Sequence, residues 1–94
     1  MVLSVKFVGA LRHVSGIGEL ALSCKSCVAV RELMNEIIKE LPKLKRSLVD
    51  HQFEDFRLNA LVLVNGREIR VLDGLETKLK DGDEVVLIPF VHGG

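Results

Sequence analysis

Residues 81–89 read Asp-Gly-Asp-Glu-Val-Val-Leu-Ile-Pro and contain the strongest indication of the architecture of this chain. Asp81 and Gly82 predict a turn, because glycine adopts backbone angles that other residues avoid. The run of apolar residues after Glu84 predicts a strand over residues 84–88 that is buried on both faces, as in the centre of a sheet. Pro89 has no amide hydrogen to donate, so regular strand pairing should end there.

Three earlier segments also have the pattern of strands. Residues 2–8 alternate between apolar and polar side chains, and residues 20–24 do so again, which predicts a hairpin. Residues 58–64 are apolar and partly β-branched, and Asn-Gly follows them at positions 65–66. Asn-Gly is among the strongest hairpin signals because both residues tolerate positive φ, so residues 67–69 should form the return strand.

A helix separates the second and third of these strands. Between residues 28 and 41 the apolar side chains recur at helical spacing, so that they share one face: Val30, Leu33, Met34, Ile37, Ile38 and Leu41. Pro42 should end the helix, because it lacks an amide hydrogen and disfavours helical geometry at the preceding residue. Ser26 is the expected N-cap.

The segments between these elements are less regular. Residues 9–18 are interpreted as a loop with one helical turn at residues 10–13. Residues 43–57 should form a short helix and a loop, held to the core by Leu44, Leu48 and Phe53. Asp-Gly at positions 73–74 marks a further turn, after which Thr77 and Leu79 should pack against the core.

The order of these elements predicts an α+β domain of two layers, with one main helix on one sheet and the first and last strands side by side. The chain has 94 residues, of which 48% are hydrophobic, enough for one domain with one core.

Charge and hydropathy exclude several classes of function. The 13 basic and 13 acidic residues show little clustering by sign, and the longest basic run is residues 43–46. Nucleic-acid binding requires a stronger basic stripe. No apolar run approaches the roughly 18 residues of a membrane span, and no basic leader precedes an apolar block at the N-terminus. We therefore expect a cytoplasmic protein that binds neither nucleic acid nor membranes.

Cys24 and Cys27 have the spacing Cys-x-x-Cys, which supplies only two of the four ligands of a structural zinc site. The three histidines are scattered, so no metal site is predicted. A redox dithiol needs a βαβ context that the pattern lacks. The cysteines are interpreted as two small residues at a strand–helix junction, with a local disulfide as the main alternative. Residues 16–21 fit a dinucleotide fingerprint formally but open a strand, so no bound cofactor is predicted.

The last five residues are Phe90, Val91, His92, Gly93 and Gly94. Extended, five residues reach about 17 Å, so a flexible tail over 90–94 can project beyond the domain. Because glycine has no Cβ, the end of this tail is narrow enough to enter a tight tunnel on another protein. The Gly94 carboxylate, ionised at neutral pH, can attack the α-phosphate of ATP to give an acyl-adenylate. A sulfur or nitrogen nucleophile can then displace AMP.

Residues 81–94 resemble the end of the MoaD/ThiS family of ubiquitin-like sulfur carriers, whose signature is a D-G-D-E-V turn, an apolar strand, a proline and a terminal Gly-Gly. Residues 62–66 resemble the family's middle hairpin, and residues 29–34 its helix start. The resemblance spans nearly the whole chain. Ala29 stands where the family has a threonine, which weakens the expected cap. The chain is longer than a typical ThiS, which favours MoaD-like or ubiquitin-related-modifier relatives.

The resemblance implies a β-grasp fold, with four to five strands packed on one main helix. It implies that a ubiquitin-activating-type enzyme uses ATP to adenylate Gly94, and that a sulfur donor then converts the adenylate to a thiocarboxylate. In the MoaD branch the tail enters the large subunit of molybdopterin synthase. The catalytic groups then belong to partner proteins, while Gly93 allows threading and Phe90, Val91 and His92 contact the partner. Conjugation to lysines, or a plain interaction module, remain the alternatives.

Overall fold

The computed structural model describes residues 1–25, 27, 29–49 and 59–90. Its strands are β1 (Val2–Phe7), β2 (Glu19–Ser23), β3 (Ala60–Val64), β4 (Arg67–Glu68) and β5 (Glu84–Pro89). Its helices are α1 (Ala10–Ser15), α2 (Val30–Glu40) and α3 (Lys45–Leu48), with 3-10 turns at Pro42–Leu44, Ile69–Val71 and Gly74–Glu76. Within these residues no helix combines the length and the hydropathy of a membrane span.

The five strands form one mixed sheet in the order β2-β1-β5-β3-β4. The C-terminal strand β5 lies between β1, to which it is parallel, and β3, to which it is antiparallel. Its central position and the pairing of the first and last strands are therefore confirmed. Pairing reaches Pro89, opposite Ala60. The strand therefore extends one residue beyond the predicted span.

Burial of β5 on both faces, however, is a wrong prediction. Val85 and Leu87 are fully buried, whereas Val86 and Ile88 are only half-buried. The reason is that the described helices cover one face of the sheet only, the face that also buries Leu3, Val5 and Phe7 of β1. The other face of β5 is apolar and open.

The main helix α2 packs its predicted apolar face on the sheet, and its buried residues are Val30, Leu33, Met34 and Ile37. It begins two residues later than predicted. Its N-cap is Ala29, so the prediction of Ser26, which lies outside the described residues, is wrong. Ala29 makes no side-chain cap; instead the Val30 N–H donates to the Thr77 carbonyl at 3.0 Å. A backbone hydrogen bond to the segment before β5 thus replaces the side-chain cap.

Several local predictions are confirmed. Asn65 and Gly66 have φ angles of 50° and 84°, as the predicted hairpin turn requires. Thr77 and Leu79 are buried, as predicted for the segment after the Asp-Gly turn.

Two connections contain helix: the one between β1 and β2, and the one that follows α2. The predicted turn at residues 10–13 is the helix α1, which continues to Ser15 and buries Leu11. Leu44 and Leu48 anchor the segment after α2, as predicted, while Phe53 lies outside the described residues.

The two cysteines form a disulfide, with Cα atoms 5.6 Å apart. Cys24 follows β2 directly, and the two residues are only 5% and 1% exposed. The prediction of two unlinked small residues is therefore wrong, and its alternative, a local disulfide, is correct. The turn that leaves β2 brings the two Cα atoms within bridging range, which residue spacing alone does not reveal.

Candidate functional site

The candidate site is the end of β5, where the chain leaves the sheet toward the tail (residues 90–94). Val8 N–H donates to the Leu87 carbonyl at 3.2 Å on one side of β5. Phe90 N–H donates to the Asn59 carbonyl at 3.5 Å on the other. Hydrogen bonds on both sides therefore position the root of the tail, which comprises Pro89 and Phe90 and is called the tail root. Four of the five predicted site residues, Val91, His92, Gly93 and Gly94, lie outside the described residues.

Phe90 is the predicted site residue that the structure does describe. Its side chain is 37% exposed, and the Arg70 guanidinium carbon lies 6.0 Å from the ring centroid, within cation–π range. The ring borders a groove of about 210 Å³ that also touches Val62, Ile69 and Leu75. Phe90 is thus held against its own domain on one side and exposed on the other.

The arginine beside Phe90 is itself held by an acid. Glu68 accepts hydrogen bonds from the Arg70 backbone N–H and from its guanidinium. The backbone hydrogen bond, followed by the contact with the guanidinium, holds the pKa of Glu68 below its usual value. The carboxylate therefore stays ionised in mild acid and orients Arg70 over the ring.

On the opposite side of the strand end, Pro89 lies against Gly9. A Cβ on Gly9 would be 3.6 Å from the Pro89 Cγ, an ordinary contact distance. Gly9 has φ 60° and ψ −130°, a conformation that is essentially restricted to glycine. This glycine turns the chain from β1 into α1, so that the helix begins beside the root of the tail.

The open face of the sheet is a second part of the site, and the sequence patterns missed it. Register places Leu61 opposite Ile88 and Leu63 opposite Val86, and all four side chains are half-buried on the face without helices. At the start of β5 the face ends in an ion pair between Lys6 and Glu84 at 3.1 Å. A contiguous apolar face on a central strand is typical of a protein-binding surface. The sequence did contain one signal of this open face. Strands β3 and β5 have apolar residues at successive positions, whereas only one main helix is predicted to cover the sheet.

The described part of the chain contains no cluster of metal-ligating side chains. Over residues 1–25, 27, 29–49 and 59–90, no group of three or more His, Cys, Asp or Glu could hold a metal ion. Cys24 and Cys27 are linked to each other, so neither thiolate is available as a ligand.

A mixed sheet in the order 2-1-5-3-4, with one main helix on one face and a C-terminal strand at its centre, defines a ubiquitin-like β-grasp protein. Residues 5–94 match the model of the ThiS family, and the chain belongs to that family. The fold and the resemblance expected from the sequence are therefore confirmed.

Individual relatives carry two kinds of description. Small archaeal modifier protein 3 of Haloferax volcanii is 31% identical over 94 residues, which is all of both chains. An Archaeoglobus fulgidus protein, described as "Putative sulfur carrier protein", is 52% identical over 33 residues. That match covers 35% of this chain and 38% of the relative.

Similar solved structures also carry two kinds of description, modifier proteins and a molybdopterin converting factor subunit. Small archaeal modifier protein 1 of Methanosarcina acetivorans is 36% identical with a TM-score of 0.81, over 99% of this chain and 96% of that one. The Pyrococcus furiosus protein described as "Putative molybdopterin converting factor, subunit 1" is 28% identical with a TM-score of 0.76, over 97% and 99%. The chain is thus similar over nearly its full length both to proteins described as modifiers and to one described as a molybdopterin converting factor subunit.

Proposed function

We propose that this chain is a sulfur carrier whose Gly94 carboxylate is adenylated and then thiocarboxylated by a ubiquitin-activating-type enzyme in the cytoplasm. The observation that supports this most directly is the anchoring of β5. Hydrogen bonds on both sides of the strand end define where the tail begins, and Gly93 and Gly94 follow within four residues of Phe90. A strand end that is paired on both sides gives the tail a fixed starting point, and a narrow chain end can then enter the active site of another protein.

The chemistry proceeds in three steps on partner proteins. A carboxylate oxygen of Gly94 attacks the α-phosphate of ATP, and pyrophosphate leaves with its electron pair, giving the acyl-adenylate. A sulfur nucleophile, such as the terminal sulfur of a persulfide, then attacks the acyl carbon and AMP leaves. A thiol reductant cleaves the resulting acyl disulfide and releases the thiocarboxylate. Every catalytic group in this scheme belongs to partner proteins.

Docking in this proposal uses the open apolar face together with Phe90. Ile88 and Val86 lie on the strand that leads into the tail, so a partner that covers them also holds the tail root. Phe90→Asp replaces the exposed ring by a charge and should weaken copurification with the partner. Unchanged affinity of this variant would count against a docking role for Phe90.

For the destination of the sulfur, we propose molybdopterin. The support is the 28% identity over nearly full length to the Pyrococcus furiosus protein described as a molybdopterin converting factor subunit. In this scheme the thiocarboxylated tail enters the large subunit of molybdopterin synthase. Its sulfur attacks a carbon of the cofactor precursor, an oxygen substituent leaves that carbon with the C–O electron pair, and an acyl thioester forms. Water then hydrolyses the thioester, which releases the Gly94 carboxylate and leaves the sulfur on the precursor as a thiolate.

The second candidate is a protein modifier. The full-length match to small archaeal modifier protein 3 favours it. In that role a lysine amine attacks the same acyl-adenylate, AMP leaves, and an isopeptide bond joins Gly94 to the target. The two candidates share adenylation and differ in the nucleophile.

Intact mass spectrometry of the protein purified from its native cells tests both. A mass shift equal to one oxygen replaced by sulfur at Gly94 supports the carrier. Branched Gly-Gly remnants on lysines of other proteins, with no such shift, support the modifier. A chain extended by one alanine after Gly94 is the matched control, because it keeps the domain and blocks the terminus. If neither product forms in the wild type, both candidates fail.

A further inference from the structure

A positively charged concavity lies close to the tail root but outside the site described above. Lys43, Lys45 and Arg46, together with Pro42, line a depression of about 510 Å³ on the 3-10 turn and α3. The three cationic residues are exposed, while Leu44 and Leu48 of the same segment are fully buried. The buried leucines fix the segment on the core, so the charges have a defined position.

Two hydrogen bonds connect this segment to the tail root. The Asn59 N–H donates to the carbonyl of Leu48, the last residue of α3, at 2.8 Å. The Asn59 carbonyl in turn accepts from the Phe90 N–H at 3.5 Å. One residue therefore links the end of α3 to the first residue of the tail, and any protein that receives the tail approaches this concavity.

The cationic side chains of the concavity make no ion pair within the part of the chain that the structure describes. Ion pairs among those residues join Lys6 to Glu84, Arg31 to Glu76 and Arg70 to Glu68, and none involves this segment. Residues 42–49 carry three cations and no acid, and acids flank this segment in the sequence at Glu40 and Asp50. The three cations thus lie together on one exposed surface of the described chain, near the tail root.

Helix α1 extends the same charge toward the strand end. It begins after Gly9, which contacts Pro89, and it lies beside the 3-10 turn that precedes α3. Its second turn carries Arg12, and a smaller depression of about 360 Å³ is lined by Gly9, Arg12, His13 and Gly16. No acidic residue occurs in α1.

We propose that Lys43, Lys45 and Arg46 form a docking surface for an acidic protein surface on the enzyme that activates Gly94. This rests on the proposed function and names a recognition element of that partner. Complementary charge accelerates encounter and fixes orientation, and the effect reaches about one Debye length, roughly 10 Å at 0.1 M salt. The surface therefore steers the tail toward the adenylation site before the open apolar face binds the enzyme.

An acidic protein surface fits these residues better than a nucleic acid does. Neutralisation of three phosphates gives only weak, salt-sensitive binding. The residues that line the concavity include no aromatic ring on which a base could stack.

The test is the rate of ATP–pyrophosphate exchange catalysed by the purified activating enzyme, with the full-length chain as substrate. The triple variant K43E/K45E/R46E is compared with K25E/K78E/K80E. The control makes the same change in net charge at three exposed lysines near the opposite end of the sheet, where β5 begins. Circular dichroism confirms that both variants fold.

At about 20 mM salt we expect kcat/KM to fall roughly ten-fold or more for the first variant, with kcat nearly unchanged, and less than about three-fold for the control. The difference should shrink as salt rises to about 0.3 M. Equal losses in both variants, or no loss in the first, would overturn the docking surface while leaving Gly94 activation intact. Loss of binding to a single-stranded RNA with exchange unaffected would also overturn it. No exchange by the wild type would instead refute the proposed function.

Discussion

Reduction of the Cys24–Cys27 disulfide should lower the free energy of unfolding by about 2 kcal/mol. The bond joins residues separated by 3 positions and closes a very short loop, for which the chain-entropy relation gives about 2 kcal/mol at 25 °C. Both sulfurs are buried and stay in the core after reduction, so packing changes little. In a domain of this size the loss corresponds to a drop in Tm of about 8–16 °C.

Urea unfolding followed by circular dichroism measures this effect, with and without a phosphine reductant. The double variant Cys24→Ala/Cys27→Ala is the control, because the reductant should leave its stability unchanged. This variant should be less stable than the reduced wild type by about 1–2 kcal/mol, since it also loses two buried sulfurs. The reasoning is refuted if mass spectrometry shows complete reduction of the wild type while its unfolding midpoint stays the same.

Three further predictions concern the strand end and its surroundings. Ile88→Asp should cost about 1 kcal/mol of stability, since β propensities span that range. The same variant should weaken partner binding about ten-fold or more in titration calorimetry. The control Ala21→Asp, on the exposed edge strand β2, should change binding little. Gly9→Ala should destabilise the fold by about 1–3 kcal/mol in urea titration, because φ 60° with ψ −130° is strained for alanine although its Cβ has space. Glu68→Gln should make the free energy of unfolding less dependent on pH below about 4.5. The reason is that the folded-state pKa of Glu68 is lowered. The ionised carboxylate therefore stabilises the fold at neutral pH, and this stabilisation is lost as the pH falls through the folded-state pKa.

Each of these has a result that contradicts it. Equal binding by the Ile88 and Ala21 variants would show that the open apolar face is not the docking surface. A Gly9→Ala variant as stable as the wild type would mean that the turn before α1 relaxes without cost. Identical pH profiles below about pH 4.5 for Glu68→Gln and the wild type would remove the proposed role of Arg70 in holding this carboxylate.

Local sequence was sufficient wherever one residue type or one period dictates the backbone. Asn65 and Gly66 form a turn because both accept positive φ, and α2 ends at Glu40 because Pro42 cannot continue it. The central position of β5 was predictable from its continuous apolar residues. The tail could be proposed as the reactive element from its composition alone, and that proposal remains a prediction.

Features that depend on distant contacts could not be predicted in this way. The start of α2 is set by a hydrogen bond from the Val30 N–H to the carbonyl of Thr77, 47 positions along the chain. The predicted local cap at Ser26 is therefore wrong. The disulfide depends on the path of the turn after β2, which residue spacing does not specify.

The main strands, the main helix and the Gly93-Gly94 pair after a central strand can be read from the amino-acid sequence alone. Which face of that strand is covered depends on how the layers pack, because hydrophobicity does not distinguish burial in the core from exposure on an open apolar face. Packing also places α3, through Asn59, beside Phe90. Proximity between residues far apart in sequence arises from packing, and a linear pattern contains no information about it until the layers are assembled.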